Sequence, residues 1–316
     1  MKVSIIVPIY NSSKYLKKCL DSLVSEEDKD MEFILINDGS TDSSEDIINL
    51  YHDSRIRYFK QDNRGIGATR NRGIKLARGE YIGFLDSDDY IEKNMYSMMY
   101  NHAKKNELDI VICDFYEIKN NNLNKVKLID FPNTNLNNYP NLLMDIQLGP
   151  CNKIYKRELL DSNSYFPENL KYEDTPFTAY MLSKGKCIGK LNKYLYYYVI
   201  HGDSETTTVD KRVFDIFEIC DILRSNLGNN KYIESSLNDL IIYLITKYTI
   251  SMRYVKNKKL RNDFINQAFD YLNNNIKDYK KSNYMKNRNI LKRVIEENIY
   301  LTKIYCNLYT MLKNVK

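Results

Sequence analysis

The first ninety residues switch between two hydrophobic periods four times, and few folds accept that pattern. Val3-Ser4-Ile5-Ile6-Val7-Pro8, Phe33-Ile34-Leu35-Ile36, Arg57-Tyr58-Phe59 and Tyr81-Ile82-Gly83-Phe84-Leu85 are short β-rich runs. Continuous apolar runs of this kind suit parallel strands covered on both faces. Between them lie segments with helical spacing. Tyr15, Leu16, Cys19, Leu20 and Leu23 mark the first, Ile47, Ile48 and Leu50 the second, and the third runs from Gly65 to Arg78 and closes at Gly79. The alternation predicts an α/β layer with a mostly parallel sheet. Right-handed crossovers then place the C-terminal ends of the strands on one rim, where open α/β sheets bind ligands.

Polar residues stand at that rim. The strands run into Pro8-Ile9-Tyr10-Asn11, Asn37-Asp38-Gly39-Ser40-Thr41-Asp42 and Asp86-Ser87-Asp88-Asp89. In an extended segment residues i and i+2 share a side, so Asp86 and Asp88 can face one divalent cation, magnesium or manganese. Asp38 can accept hydrogen bonds from a base or ribose, and a metal at Asp88 can meet a diphosphate. Asp-x-Asp alone is also an ordinary polar turn, with Asp89 or Asn94 available to cap the next helix; Asn11-Ser12-Ser13 offers a cap to the first. Three polar strand ends meeting in one crevice favour the nucleotide reading. A dinucleotide fold needs Gly-x-Gly-x-x-Gly after the first strand, and the turn here, Pro-Ile-Tyr-Asn-Ser-Ser, has no glycine. A Gly-x-x-x-x-Gly-Lys-Ser/Thr phosphate loop is also missing.

In order and spacing, Val3 to Asn11, Asn37 to Asp42, Arg70-Asn71-Arg72-Gly73 and Phe84 to Asp89 resemble glycosyltransferase family 2. The resemblance implies a GT-A fold, a nucleotide-sugar donor and inversion at the anomeric carbon. It makes Asp38 the base-contacting aspartate and Asp86 and Asp88 the Asp-x-Asp pair. The donor-binding set expected here is Pro8, Tyr10, Asn11, Asp38, Arg70, Asp86, Ser87 and Lys153. The metal set is Asp88, Asp86 and His201, with manganese or magnesium as cofactor.

Farther along, Asp109 to Ile118 reads as another strand, and an Asn-rich stretch to about Tyr139 reads as a flexible loop. The segment from Pro150 to Leu160, then Phe166-Pro167-Glu168 and Tyr172-Glu173-Asp174-Thr175-Pro176-Phe177, resembles the acceptor half of the family. Glu173 and Asp174 open a helix with Phe177, Tyr180, Met181 and Leu182 on its apolar face. Acidic residues are favoured there by the helix dipole alone, by about 0.3–1 kcal/mol. The resemblance makes Asp174 the general base that deprotonates the acceptor hydroxyl. Tyr194 to Thr206 reads as a closing strand and loop. Val199 stands where the family often carries arginine, which leaves His201 or Lys153 to supply a cationic contact to the diphosphate. A single histidine in a loop is more often merely solvated.

Charge separates the chain into two regions. From Asp210 onward there are 20 Lys or Arg against 11 Asp or Glu, whereas residues 1–209 carry 27 against 30. The expected organisation is a GT-A catalytic domain over 1–209, with a nucleotide-sugar half (1–105) and an acceptor-side half (106–209), followed by a helical, basic region over 210–316. The tail's amphipathic helices suit a cap on the catalytic domain, a homodimer contact, or peripheral attachment to anionic lipid. Nucleic acid is not expected, because no recognised module is present. Met1-Lys2 leads directly into a strand with no leader pattern, and no segment reaches the length of a membrane span. The six cysteines are scattered without a Cys-x-x-Cys pair, so reduced thiols and a cytoplasmic protein, at the inner membrane face if the tail binds lipid, are expected. The predicted activity is transfer of a hexose or N-acetylhexosamine, UDP-linked, to a hydroxyl of a glycan or lipid-linked oligosaccharide of the cell surface. A sugar-phosphate nucleotidyltransferase and a scaffold without turnover are the alternatives.

Overall fold

A computed structural model of the chain describes residues 1–120, 122–202 and 210–314. The chain divides into two compact units, residues 1–204 and 205–316. The expected loop at Asp203 to Thr206, with Glu205 in it, lies outside the described residues.

The first unit is built on a nine-stranded mixed sheet. Its strands are β1 (Val3–Ile9), β2 (Met31–Asp38), β3 (Ile56–Gln61), β4 (Tyr81–Phe84), β5 (Tyr90–Ile91), β6 (Ile110–Lys119), β7 (Asn122–Val126), β8 (Lys153–Lys156) and β9 (Ile188–Ile200). They lie in the order β3-β2-β1-β4-β8-β6-β9-β5, with β7 paired to β6. β3, β2, β1 and β4 are mutually parallel, as are β6 and β9. β8 runs antiparallel to both β4 and β6, which joins the two parallel groups. The flanking helices are α1 (Ser13–Val24), α2 (Ser44–Ile48), α3 (Ile66–Leu76), α4 (Met95–Asn106), α5 (Leu142–Asp145) and α6 (Asp174–Lys184).

Every residue of β1 and β2 is buried, which explains their unbroken apolar runs. Register does the positioning. Ile9 pairs with Asn37, so β1 and β2 finish side by side, whereas β4 ends three residues earlier, Phe84 opposite Ile6, and the chain runs on through Leu85 towards the same rim. Fully burying a side chain such as Ile5, Phe33 or Phe84 contributes about 1.5–3 kcal/mol, and this core fixes the rim above it.

Several local expectations change. The second helix stops at Ile48, the last residue of this segment that it buries, and Leu50 beyond it is 72% exposed. The Asn-rich stretch is not all loop, since Asn122–Val126 forms a hairpin with β6. Ser12 does not cap α1 with its side chain; Asp42 accepts from the Ser13 N–H at 2.9 Å instead. Neither Asp89 nor Asn94 caps α4. Asp89 is buried and accepts from Tyr196 OH at 2.5 Å and Val199 N–H at 2.7 Å, while Asn94 Oδ1 accepts from the Glu27 N–H.

The Arg70-Asn71-Arg72-Gly73 run in α3 is explained residue by residue. Arg70 reaches the carboxylates described below. Asn71 clamps the Phe166 backbone, donating to its carbonyl at 2.9 Å and accepting from its N–H at 2.8 Å. Arg72 donates to the Lys60 carbonyl and Gln61 Oε1. Gly73 lets the helix lie on β1, where an added methyl would stand 2.3 Å from Ile6 Cγ2. One turn earlier Gly67 meets the same distant segment as Asn71, and a methyl there would lie 2.6 Å from the Pro167 carbonyl oxygen.

The second unit is helical: α7 (Asp215–Leu227), α8 (Glu234–Ser251), α9 (Lys258–Asn275), α10 (Asn283–Lys286), α11 (Ile290–Glu297) and α12 (Ile299–Asn314). Phe217, Leu240, Ile241, Ile245, Phe264 and Ile265 are among its buried residues. Among the described residues no helix is long and apolar enough to cross a membrane, and all six cysteines are free.

Gly67→Ala is expected to destabilise the protein by about 1–3 kcal/mol, the cost of overpacking against backbone. Urea unfolding monitored by circular dichroism checks this, with a lower midpoint and an unchanged m-value as the predicted result.

Candidate active site

A buried guanidinium joins the two halves of the site. Arg70 is 3% exposed; its Nη2 donates to Asp86 Oδ1 at 2.7 Å and its Nη1 to Glu173 Oε1 at 2.6 Å. Burial works against its charge, but the two carboxylates overcome that and raise its pKa. The guanidinium also lies 5.2 Å from the centre of the Phe166 ring. That ring belongs to an aromatic floor of Phe84, Tyr155, Phe166 and Phe177, in which Phe166 and Phe177 stack at 3.9 Å. One cation thus ties the end of β4, the body of α3 and the start of α6 over an apolar base.

Asp86 and Asp88 follow β4 directly. Asp88 Oδ2 lies 2.8 Å from His201 Nε2, and Tyr15 of α1 stacks on the imidazole with centroids 4.4 Å apart. Burial, then the neighbouring Asp86 charge, raises the Asp88 pKa, and the His201 hydrogen bond opposes them. Ser87 Oγ pairs with Ser12 Oγ at 2.6 Å, fastening the turn to the end of β1. Asp89 is displaced upward far more, by burial and then by Asp88 and Asp86. Its bonds to Tyr196 and Val199 hold β9 against this turn, so that His201 follows from the strand's end.

Asp38 is 3% exposed at the end of β2. Its Oδ1 accepts from Gln61 Nε2 at 2.7 Å and the Arg64 N–H at 2.9 Å, and its Oδ2 accepts from the Gly65 N–H at 2.9 Å. The side chain therefore shapes the loop that leads into α3 and keeps one acceptor position on Oδ2. Gly65, at φ 84°, adopts the left-handed region that this loop needs. On the β1 side Pro8 is buried, Tyr10 is 51% exposed, and Asn11, at φ 47°, accepts from the Thr41 N–H at 2.8 Å. Asn11 and the Asn37 to Asp42 turn are thereby fastened together.

Asp174 opens α6 directly after Glu173. Burial raises its carboxyl pKa, and Arg70 is the largest influence holding it down. Lys153 is fully buried, and its Nζ donates to the Gln147 carbonyl at 2.7 Å, the Gly149 carbonyl at 2.7 Å and Asn152 Oδ1 at 2.6 Å. Burial pushes its pKa down to about 7, whereas three acceptors need all three ammonium protons; the geometry holds the charged form. A donor could reach Lys153 only if this cradle parted. Among the described residues no three His, Cys, Asp or Glu side chains cluster around a common point for a metal ion.

Asp86, Asp88, His201 and Arg70 thus form one connected cluster, with Asp174 joined to it through Glu173. Pro8, Tyr10, Asn11, Asp38 and Ser87 line up along the adjoining strand ends. Sequence reasoning missed the Glu173 pairing, the Tyr15 stack and the Asp89 anchor. Tyr15 and Asp89 fitted an amphipathic helix and a polar turn, and no local pattern betrays a partner more than a hundred residues away.

The glycosyl transferase family 2 model matches residues 4–163, just over half of the chain. The chain belongs to that family. A relative in Bacillus subtilis (strain 168), the uncharacterized glycosyltransferase EpsJ, is 35% identical over 228 residues, covering 67% of this chain and 65% of its own length. The poly(ribitol-phosphate) beta-glucosyltransferase of Bacillus spizizenii is 39% identical over 222 residues, covering 66% of this chain but 34% of that protein. The chain therefore spans less than two thirds of either relative. Among solved structures, S. aureus TarS 1–349 in complex with UDP-GlcNAc superimposes with a TM-score of 0.75 at 21% identity, over 99% of this chain and 92% of that one. This is a likeness of fold, and the family 2 chain has the GT-A arrangement with a helical C-terminal region.

Arg70→Met removes the cation shared by Asp86 and Glu173 inside the site, which is expected to cost about 3–5 kcal/mol at neutral pH. The sign with pH follows from Asp174. Without Arg70 its already raised pKa rises further, so the folded state binds protons that the unfolded state releases, and the variant's stability falls as pH increases above the ordinary carboxylate range. Melting curves of Arg70→Met between acidic and neutral pH check this, the deficit being smaller at the acidic end.

Proposed function

We propose that the protein is an inverting glycosyltransferase that moves a hexose or N-acetylhexosamine from a UDP-sugar to a hydroxyl of a growing cell-surface glycan or lipid-linked oligosaccharide, on the cytoplasmic side. The observation that carries this reading is the Arg70 bridge, which links the Asp86–Asp88 turn to the residue preceding Asp174. Family membership supports glycosyl transfer. The glucosyltransferase relative and the UDP-GlcNAc complex of TarS support a UDP-linked donor and a surface polymer.

In this reading the ends of β1 and β2 receive the nucleotide, with Asp38 and its loop at the base and Asp86 at the ribose. Asp174 accepts the proton of the acceptor hydroxyl as that oxygen attacks the anomeric carbon. The bond from that carbon to the diphosphate oxygen breaks, and the configuration inverts in one displacement. A carboxylate raised by burial is a stronger base than an ordinary one, and such a base contributes about 10²–10⁴ in rate. Lys153 acts by position, drawing the carbonyls of Gln147 and Gly149 together on the chain segment that precedes β8.

A divalent cation suits the turn. Asp88, with Asp86 and His201 beside it, offers few protein ligands, and magnesium ordinarily takes one or two carboxylates plus substrate phosphates and water. An imidazole in the set favours manganese somewhat more. When bound, such an ion would neutralise charge on the departing diphosphate.

Titration calorimetry with UDP, with and without manganese, tests the donor site. Binding is expected to need the metal and to fall at least tenfold in Asp88→Ala. Asp174→Asn is expected to keep that binding and to lose about 10²–10⁴ in transfer rate, with the acidic limb of the wild-type profile lying above the ordinary carboxylate range. UDP binding without transfer to any glycan acceptor would instead favour a scaffold, and unchanged transfer in Asp174→Asn would remove it as the base.

A further inference from the structure

The last helix has one face turned into the protein and one turned out. On one, Thr302 and Cys306 are buried, Tyr305 OH accepts from Arg253 Nη1 at 2.7 Å, and Thr310 Oγ1 donates to the Arg253 carbonyl at 2.8 Å. This face packs α12 into its own unit. On the other, Tyr300, Leu301, Ile304, Leu308, Met311 and Leu312 are between 38% and 74% exposed. At 3.6 residues per turn these six fall within an arc of about 120°, opposite the packed face. A surface helix ordinarily turns charge to water, and α12 turns a continuous apolar stripe. Ile290 and Val294 of α11, 81% and 46% exposed, add to the apolar surface of this region.

The charge around the stripe narrows the choice of occupant. Residues 277–316 hold ten Lys or Arg against three Asp or Glu, which is seven of the nine net positive charges from Asp210 onward. All three acids are already paired, Glu296 with Arg288, Glu297 with Arg293 and Asp278 with Lys281, the last at 3.4 Å on the surface. Lys277, Lys280, Lys281, Lys286 and Lys292 are exposed. A second copy would set one such basic region against another. An anionic bilayer offers hydrocarbon to the stripe and lipid phosphates to the lysines. At 16 residues α12 is about 24 Å long, enough to lie in the interface plane and too short to span.

We propose that the outward face of α12 docks this protein on an anionic lipid surface, with Ile304 and Leu308 entering the interface and the lysines of 277–292 holding phosphate headgroups. This stands apart from the reading of the nucleotide crevice and would hold for any activity there. It places the chain on a membrane without crossing it.

The test is co-sedimentation of the whole chain with vesicles of phosphatidylcholine alone or mixed with phosphatidylglycerol. The wild type is expected to pellet with the mixed vesicles and not with the neutral ones, and to be released by high salt. Ile304→Glu with Leu308→Glu, both exposed, should lose that binding at least tenfold while keeping the wild-type melting temperature. A second variant, Lys280→Gln with Lys281→Gln and Lys286→Gln, should weaken it severalfold without touching the stripe. Failure to bind anionic vesicles, equal binding to neutral ones, or binding unchanged in both variants would overturn the proposal. So would a dimer in sedimentation velocity that Leu308→Glu dissolves, because the stripe would then belong to a second copy.

Discussion

The Arg70 guanidinium, buried between Asp86 and Glu173, is the interaction on which the site depends. The body of α3, the turn after β4 and the start of α6 meet there, the last across 103 residues of chain. A carboxylate removed from water costs several kcal/mol unless it is paired. The arrangement spends one cation on two anions, so a net negative charge is left in the crevice around Asp86, Asp88 and Asp174. That excess is what a divalent cation, or the positive charge that develops on a transferring sugar, would offset.

The supporting structure makes the bridge possible. β1 and β2 end level, and the turn after β4 runs up beside them to the Ser87–Ser12 hydrogen bond, on a core with no exposed residue in β1 or β2. α3 lies close on β1 because Gly73 has no side chain, and it reaches the Phe166–Pro167 segment because Gly67 has none and Asn71 bonds the Phe166 backbone. Asp89 holds β9 to the Asp86–Asp88 turn, so His201 comes to Asp88 from a strand that lies three places beyond β4 in the sheet.

Much of this was legible in the sequence, for physical reasons that also mark the boundary. Apolar runs ending in Asp38 and in Asp86 to Asp88 announced parallel strands and a ligand rim, because burial on both faces leaves no freedom in composition. The pairing of Arg70 with Glu173, across 103 residues, left no periodic trace; Glu173 beside Asp174 looked like a favourable helix start. β5 and β8 are too short to show a pattern, and β7 is formed from polar residues whose ladder partner is what makes them a strand. Lys153 was a candidate cation for a diphosphate, and only the fold shows that its three protons are spent on its own segment. In the tail, helical periodicity was plain, but packing turned the threonines and cysteine of α12 inward and its apolar stripe outward.

A crystal structure of the protein soaked with UDP and manganese bears most directly on the account. The uracil is predicted to lie at the ends of β1 and β2 beside Asp38, with the diphosphate and a metal ion at Asp88 and with Arg70 still bridging Asp86 and Glu173. Nucleotide density elsewhere, or a bound diphosphate with Asp88 and His201 still bonded to each other and no ion between them and the phosphates, would contradict it.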